Sequence, residues 1–299
     1  MPPRSDTAAS AAAPQAAAPG GTPAAASSAS TGQAAGASVT AMPADIPRAP
    51  WSEVAPDFIA SWGYPDGKFQ PEHVEILGPS GSGKTVFEET ILTERVKARD
   101  SACIFVATKK SDRQIAALAG CGWPIEADFR GTQQHKQCVF WPRTKLMGQA
   151  RKAYLAAKVQ DFMERMWHDN ANTVVAFDEI ATVEALSGEV KALVYDWWRE
   201  GRSLGLTLVA MKQRPQAVQR DMHSESSWVC SFKPKDEDDA IRYAEILGSR
   251  AYWRPVLMGL QREKFEFILQ HARTGRSVIS WVDVPLESLP KKHYQAGRS

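Results

Sequence analysis

The chain has 299 residues, 23% of them charged, and a formal net charge of +2. That length holds one large α/β domain with a tail, or two small domains. The near-balance of charge leaves any contact with nucleic acid to local basic patches, not to the field of the whole chain. Four cysteines, Cys103, Cys121, Cys138 and Cys230, lack paired spacing, which disfavours structural zinc and suits a reducing, cytoplasmic setting. No apolar run reaches the eighteen or so residues of a membrane span, and the N-terminus has no apolar signal core.

Residues 1–50 are almost entirely Ala, Pro, Ser, Gly and Thr, and Pro14, Pro19, Gly20, Gly21 and Pro23 interrupt the alanine runs. With almost nothing large and apolar to bury, this segment is expected to be a disordered tail or tether. The composition changes at Trp51. A domain over residues 51–290 is expected, with 291–299 as a C-terminal tail. Trp51, Val54, Phe58, Ile59 and Trp62 suggest a short amphipathic helix, ended by turn chemistry at Gly63-Tyr64-Pro65-Asp66-Gly67.

Residues 73–77, HVEIL, read as a short buried strand. The eight residues after it, Gly78-Pro79-Ser80-Gly81-Ser82-Gly83-Lys84-Thr85, fit the phosphate-binding P-loop pattern G-x-x-x-x-G-K-[ST]. Small residues let backbone N–H groups curl around a triphosphate. Lys84 would reach the β- and γ-phosphates of ATP, and Thr85 would put its hydroxyl on Mg²⁺. A helix over 86–98 follows, so its N-terminus faces the phosphates, and Val86 closes the expected nucleotide-binding stretch.

Residues 102–108 form a second buried strand, running into the polar, basic turn Lys109-Lys110-Ser111-Asp112-Arg113 and a helical stretch near 115–118. A third strand spans 138–141, stopped by Pro142, and the 3–4 spacing over 145–168 predicts a helix. Residues 173–177 are a strand closed by Asp178-Glu179. A P-loop needs such a carboxylate element: Asp178 would orient the metal's ligand shell, and Glu179 would be the general base for the attacking water. A helix is expected over 187–202, strands over 206–211 and 228–232, helices over 236–247 and 256–260, and a hairpin of 264–270 with 277–284. The alternation predicts a mostly parallel sheet covered by helices on both faces, with a C-terminal β-hairpin.

The stretch GRSLGLTLVAMKQRP at residues 201–215 resembles that of the FtsK/HerA group of DNA-pumping P-loop ATPases, which have an arginine and a glycine before this strand and Gln-Arg-Pro after it. The order of P-loop, Asp-Glu, Arg…Gly and Gln-Arg-Pro matches too, as does the polar turn at Thr108-Lys109-Lys110, over about residues 70–285. The resemblance implies a RecA-like fold and an ATP-hydrolysing, Mg²⁺-dependent ring motor, a hexamer, acting on double-stranded DNA. Gln213 would sense the γ-phosphate, and Arg202 would be an arginine finger for the neighbouring subunit, with Arg214 the competing candidate. Lys212 departs from the small polar residue common at its position. No DNA-reading module is seen after Val284, which implies a separate targeting or portal protein.

Lys109, Lys110 and Arg113 are candidate DNA contacts, and Arg143, Lys145, Arg151 and Lys152 form a second basic run. The ten tryptophans, Trp197-Trp198 among them, suit core or subunit interface better than base stacking. The rival readings are a terminase-like viral packaging ATPase, an assembly or secretion ATPase threading protein, and a non-enzymatic, nucleotide-gated DNA clamp.

Overall fold

Short strands rich in branched side chains send alternate residues to opposite faces, and such strands need cover on both sides. In the computed structural model, which describes residues 46–111, 113–213 and 220–283, they form one ten-stranded sheet. Its members are β1 (Arg48–Pro50), β2 (His73–Leu77), β3 (Ala102–Val106), β4 (Ile125–Glu126) and β5 (Gln137–Phe140), then β6 (Thr173–Phe177), β7 (Leu206–Lys212), β8 (Ser226–Phe232), β9 (Phe267–His271) and β10 (Ser277–Trp281). The order across the sheet is β1-β10-β9-β8-β2-β7-β6-β3-β5-β4. Only β9 runs antiparallel to its neighbours, β8 and β10.

The helices are α1 (Trp51–Ser61), α2 (Lys84–Ala98), α3 (Arg113–Gly120), α4 (Phe129–Thr132) and α5 (Gly148–Met166), then α6 (Ile180–Glu184), α7 (Gly188–Glu200), α8 (Arg220–Glu225), α9 (Glu237–Ile246) and α10 (Arg250–Met258). One face of the sheet gathers Phe105, Ala176 and Val209 under α1 and α2, where Trp51, Phe58 and Phe87 pack edge-on or tilted at ring separations of 5.0–5.5 Å. The other face presents Ile104, Val175, Phe177 and Leu208 to α5 and α7, and it continues under α9 and α10 around Tyr243 and Trp253. Trp197 and Trp198 are both buried in this second layer, as core residues.

That second face carries a polar seam. His73 and Glu75 alternate with Val74 and Ile76 along β2, so they point to the side opposite the α2 layer. Lys212 Nζ sits 2.7 Å from Glu75 Oε1, with both side chains at 0% exposure. His223 Nδ1 of α8 lies 2.8 Å from Glu75 Oε2. The unusual lysine that ends β7 is thus the partner of a buried glutamate on the neighbouring P-loop strand.

The differences from expectation are local. Arg48–Pro50 pairs in parallel with β10, so the sheet begins inside the segment that composition assigns to the tail; residues 1–45 lie outside the described residues. Helix α10 starts at Arg250, not after Pro255, because Ser249 caps it by accepting from Tyr252 N–H and because Trp253, Val256 and Leu257 are buried. Strand β9 starts three residues late, since a 3₁₀ turn at Arg262–Lys264 is followed by Phe265 in the left-handed region. Arg202 belongs to a 3₁₀ turn, Gly201–Leu204, and not to the helix before it.

Candidate nucleotide-binding site

The sheet order decides where the chemistry meets. Strand β7 lies between β2 and β6, so the C-terminal ends of all three share one edge, with Leu77 registered against Lys212 and Phe177 against Ala210. The loops leaving that edge carry the P-loop, Asp178-Glu179 and Gln213. Ser80 through Val86, with Asp178, Glu179 and Gln213, line one cleft of about 350 Å³; Lys109, Met211 and Phe265 complete it.

The loop's glycines are set by packing. A Cβ on Gly78 would come 2.7 Å from Ser82 Oγ and 2.8 Å from Phe232 Cβ. Gly83 sits at φ +100°, where a Cβ would also stand 3.2 Å from Phe265 Cβ. Gly83 opens α2 without any side-chain cap and with no acidic residue in the first turn, so the first N–H groups of the helix face the cleft unneutralised. Ser82 Oγ is buried with no hydrogen-bond partner. Lys84 Nζ donates to the carbonyls of Gly78, at 2.6 Å, and Pro79, at 2.8 Å. Burial lowers its pKa to about 8, with Glu179 opposing, so it remains a cation at neutral pH. Unneutralised amides, an orphan hydroxyl and a cation folded onto its own loop fit a phosphate chain.

Across the cleft, Asp178 is buried, and its Oδ1 accepts from Lys109 Nζ at 2.7 Å. Gln213 donates through Nε2 to Glu179 Oε2, which fixes the orientation of that carboxylate. The residues also fit Mg²⁺: a buried carboxylate already held by one cation faces the cleft that Thr85 lines. Thr85 and Asp178 would hold the ion, whose charge would offset that of the phosphate oxygens.

Sequence reading missed three residues at or beside this site. Lys109, expected at DNA, pairs with Asp178. Glu88, one turn into α2, is fully buried; burial, then the nearby Asp178 and Glu89, raise its pKa well above the usual carboxylate range, against a 2.6 Å hydrogen bond from Gln114. Phe265 adopts φ 53°, a strained conformation for a bulky residue, and its ring lies half exposed against Gly83. Lys109 and Phe265 have no local signal, because each reaches the cleft from another element.

Arg202 is elsewhere. Its guanidinium pairs with Glu225 at 2.6 Å, beyond the N-terminal end of β7. That strand is seven residues long, so Arg202 and Gln213 are separated by roughly 20 Å or more. An arginine side chain cannot span that gap within one chain. Arg214 lies outside the described residues, as does the side chain of Arg113.

No protein-family model matches the chain, and neither does any curated protein sequence. Solved structures do. The DNA-packaging ATPase of Sulfolobus turreted icosahedral virus is 14% identical, covers 71% of this chain and 98% of its own, and has a TM-score of 0.52. The genome-packaging NTPase of Sulfolobus turreted icosahedral virus 2, in complex with AMPPCP, is 12% identical over 70% of this chain and 96% of its own, at a TM-score of 0.50. The conjugation coupling protein TcpA of pCW3 is 14% identical over 70% of this chain and 59% of its own, at 0.47. The two virus proteins, at 12–14% identity, share the fold of this chain. The chain has the α/β fold of the P-loop NTPases, a mostly parallel sheet flanked by helices.

Proposed function

We propose that the chain is an Mg²⁺-dependent ATPase that moves or packages double-stranded DNA as a homo-oligomeric ring, a hexamer, in the cytoplasm of a bacterium or phage-infected cell, loaded by a separate targeting or portal protein. The observation that carries the hydrolytic part is the meeting of Lys84, Asp178 and the Gln213–Glu179 pair in one cleft, on loops from three neighbouring strands. The two virus proteins are named for packaging genomes, and their common fold with this chain supports the DNA part. Among the described residues no helix is long and apolar enough to cross a membrane.

In this reading Lys84 leaves its two carbonyls for the phosphate oxygens, and the amides of residues 81–85 fix the triphosphate. Glu179 takes the proton of the attacking water, and the Gln213 amide holds it on line. Burial favours the neutral form of Glu88, which limits the negative charge gathered beside Asp178. The test is Glu179→Gln. It should bind a fluorescent ATP analogue normally while turnover falls by about 10²–10⁴. Lys84→Ala should lose tight binding as well, and double-stranded DNA should stimulate the wild-type rate. A Glu179→Gln variant hydrolysing at the wild-type rate would remove the assignment.

A further inference from the structure

Beside the nucleotide cleft lies a second one of about 450 Å³, lined by Lys109, Lys110, Trp141, Arg143, Lys145 and Arg151 with Pro142 and Thr144. Two basic runs far apart in sequence thus converge, because β3 and β5 are adjacent and their loops leave the same edge. Lys152 does not join them; it lines a shallow depression with Glu189. Among the described residues the lining of the cleft has five cationic side chains and no carboxylate. Among the described residues none of Lys110, Arg143 and Lys145 is paired with an acid. Like charges gathered this way repel one another and focus a positive potential, so the cleft fits a polyanion.

Its aromatic residue cannot read bases. The Arg143 guanidinium covers the Trp141 ring at 4.2 Å, and Trp141 Nε1 donates to Lys109 O at 2.8 Å. What remains for a ligand is charge, which recognises phosphates and not sequence. The turn is also wired to the ATP site: Arg151 donates to Thr108 O at 2.6 Å, while the Lys109 ammonium sits on Asp178. Lys109 lines both clefts.

Building on the DNA-motor reading above, we infer that this basic cleft grips the phosphodiester backbone, and that Lys109 couples that grip to the nucleotide site. A divalent cation and the Lys109 ammonium compete for the Asp178 carboxylate. Loading of the nucleotide site frees Lys109 to add its charge to the cleft, and release of the nucleotide draws it back. By linkage, DNA that holds Lys109 favours nucleotide loading by the same factor. The backbone is gripped in the triphosphate state and loosened afterwards, which is the alternation a translocating subunit needs.

The experiment is fluorescence anisotropy of a labelled random-sequence duplex with the full chain, as a function of salt, with and without Mg²⁺ and a non-hydrolysable ATP analogue. Wild type should bind several-fold tighter with the loaded nucleotide, and its log–log salt slope should steepen by about one phosphate contact. Arg143→Ala/Lys145→Ala should flatten the slope by about 2 in both states while fluorescent nucleotide binding stays normal. If that variant does not fold, Lys110→Ala on the exposed turn reads a loss of about 1. Lys109→Met should bind DNA equally with and without nucleotide, and should need less Mg²⁺ to hold the analogue. An unchanged slope in the cleft variants overturns the cleft. A Lys109→Met variant that keeps the nucleotide-dependent gain overturns the coupling. Wild type that binds no duplex at low salt overturns the motor reading beneath, and this inference falls with it.

Discussion

His73 shows how one side chain sets a property of the whole fold. It is fully buried, and its Nδ1 accepts from Leu208 N–H at 3.0 Å, so Nε2 carries the hydrogen and donates to Trp198 O at 3.2 Å. Both nitrogens are used in the neutral form. Burial, and then the positive charge of Arg202, lower its pKa from 6.5 to about 3. The unfolded chain therefore binds a proton that the folded chain refuses. His73's contribution is fully present above pH 6.5 and is lost as pH falls toward 3, at up to about 1.4 kcal/mol per unit and about 5 kcal/mol in all. His73→Gln can donate and accept at the same two points without titrating. In urea unfolding from pH 7 to 4, the variant should lose much less stability per unit than wild type. Parallel curves for the two proteins would mean that His73 is not the titrating group.

At the scale of elements, the Glu75–Lys212–His223 cluster joins β2, β7 and α8 beneath the nucleotide edge. Burial pushes the Glu75 pKa up, but Lys212 and then His223 outweigh it and hold the carboxyl below its usual range. Burial lowers the Lys212 pKa, with Glu75 opposing. Glu75 thus adds stability above the ordinary carboxylate range, lost as pH falls through its folded value. A buried pair costs most when half of it is removed, because the remaining charge has no partner. Lys212→Met should destabilise by about 3–5 kcal/mol, and Glu75→Gln/Lys212→Met should recover most of it. Denaturant midpoints for both single variants and the double close this cycle; strictly additive losses would show that the two residues do not interact.

The same cluster marks the limit of what the sequence discloses. The P-loop, Asp178-Glu179 and the buried strands were legible because each is a local pattern of a few residues. Lys212 read only as a departure from a resemblance, since its partner lies 137 positions away. The edge strand β1, the two-residue β4 and the short helices α4, α6 and α8 are too brief for periodicity to show. Phe265 and Lys109 enter the site through strand order and loop direction, which are long-range outcomes of packing.

At the scale of the whole molecule, the position of Arg202 has a consequence for assembly. The separation along β7 rules out its acting on the nucleotide of its own chain, so under the proposed ring it acts on a neighbour's or not at all. Its pair with Glu225 has both side chains about one-third exposed, and such a pair contributes only about 0–1 kcal/mol to stability. A finger working between subunits is worth about 10³–10⁵ in turnover. The two roles are therefore separable by magnitude. Arg202→Ala should keep its fold and its nucleotide affinity yet lose at least three orders of magnitude in ATPase rate, on the order of the finger's contribution. Mixed with Lys84→Ala subunits, equally inactive alone, it should regain activity, because some interfaces in a mixed ring join an intact Lys84 to an intact Arg202. A mixture that co-assembles and stays inactive would leave Arg202 a structural residue. Full activity in Arg202→Ala alone would move the search for the finger to Arg214.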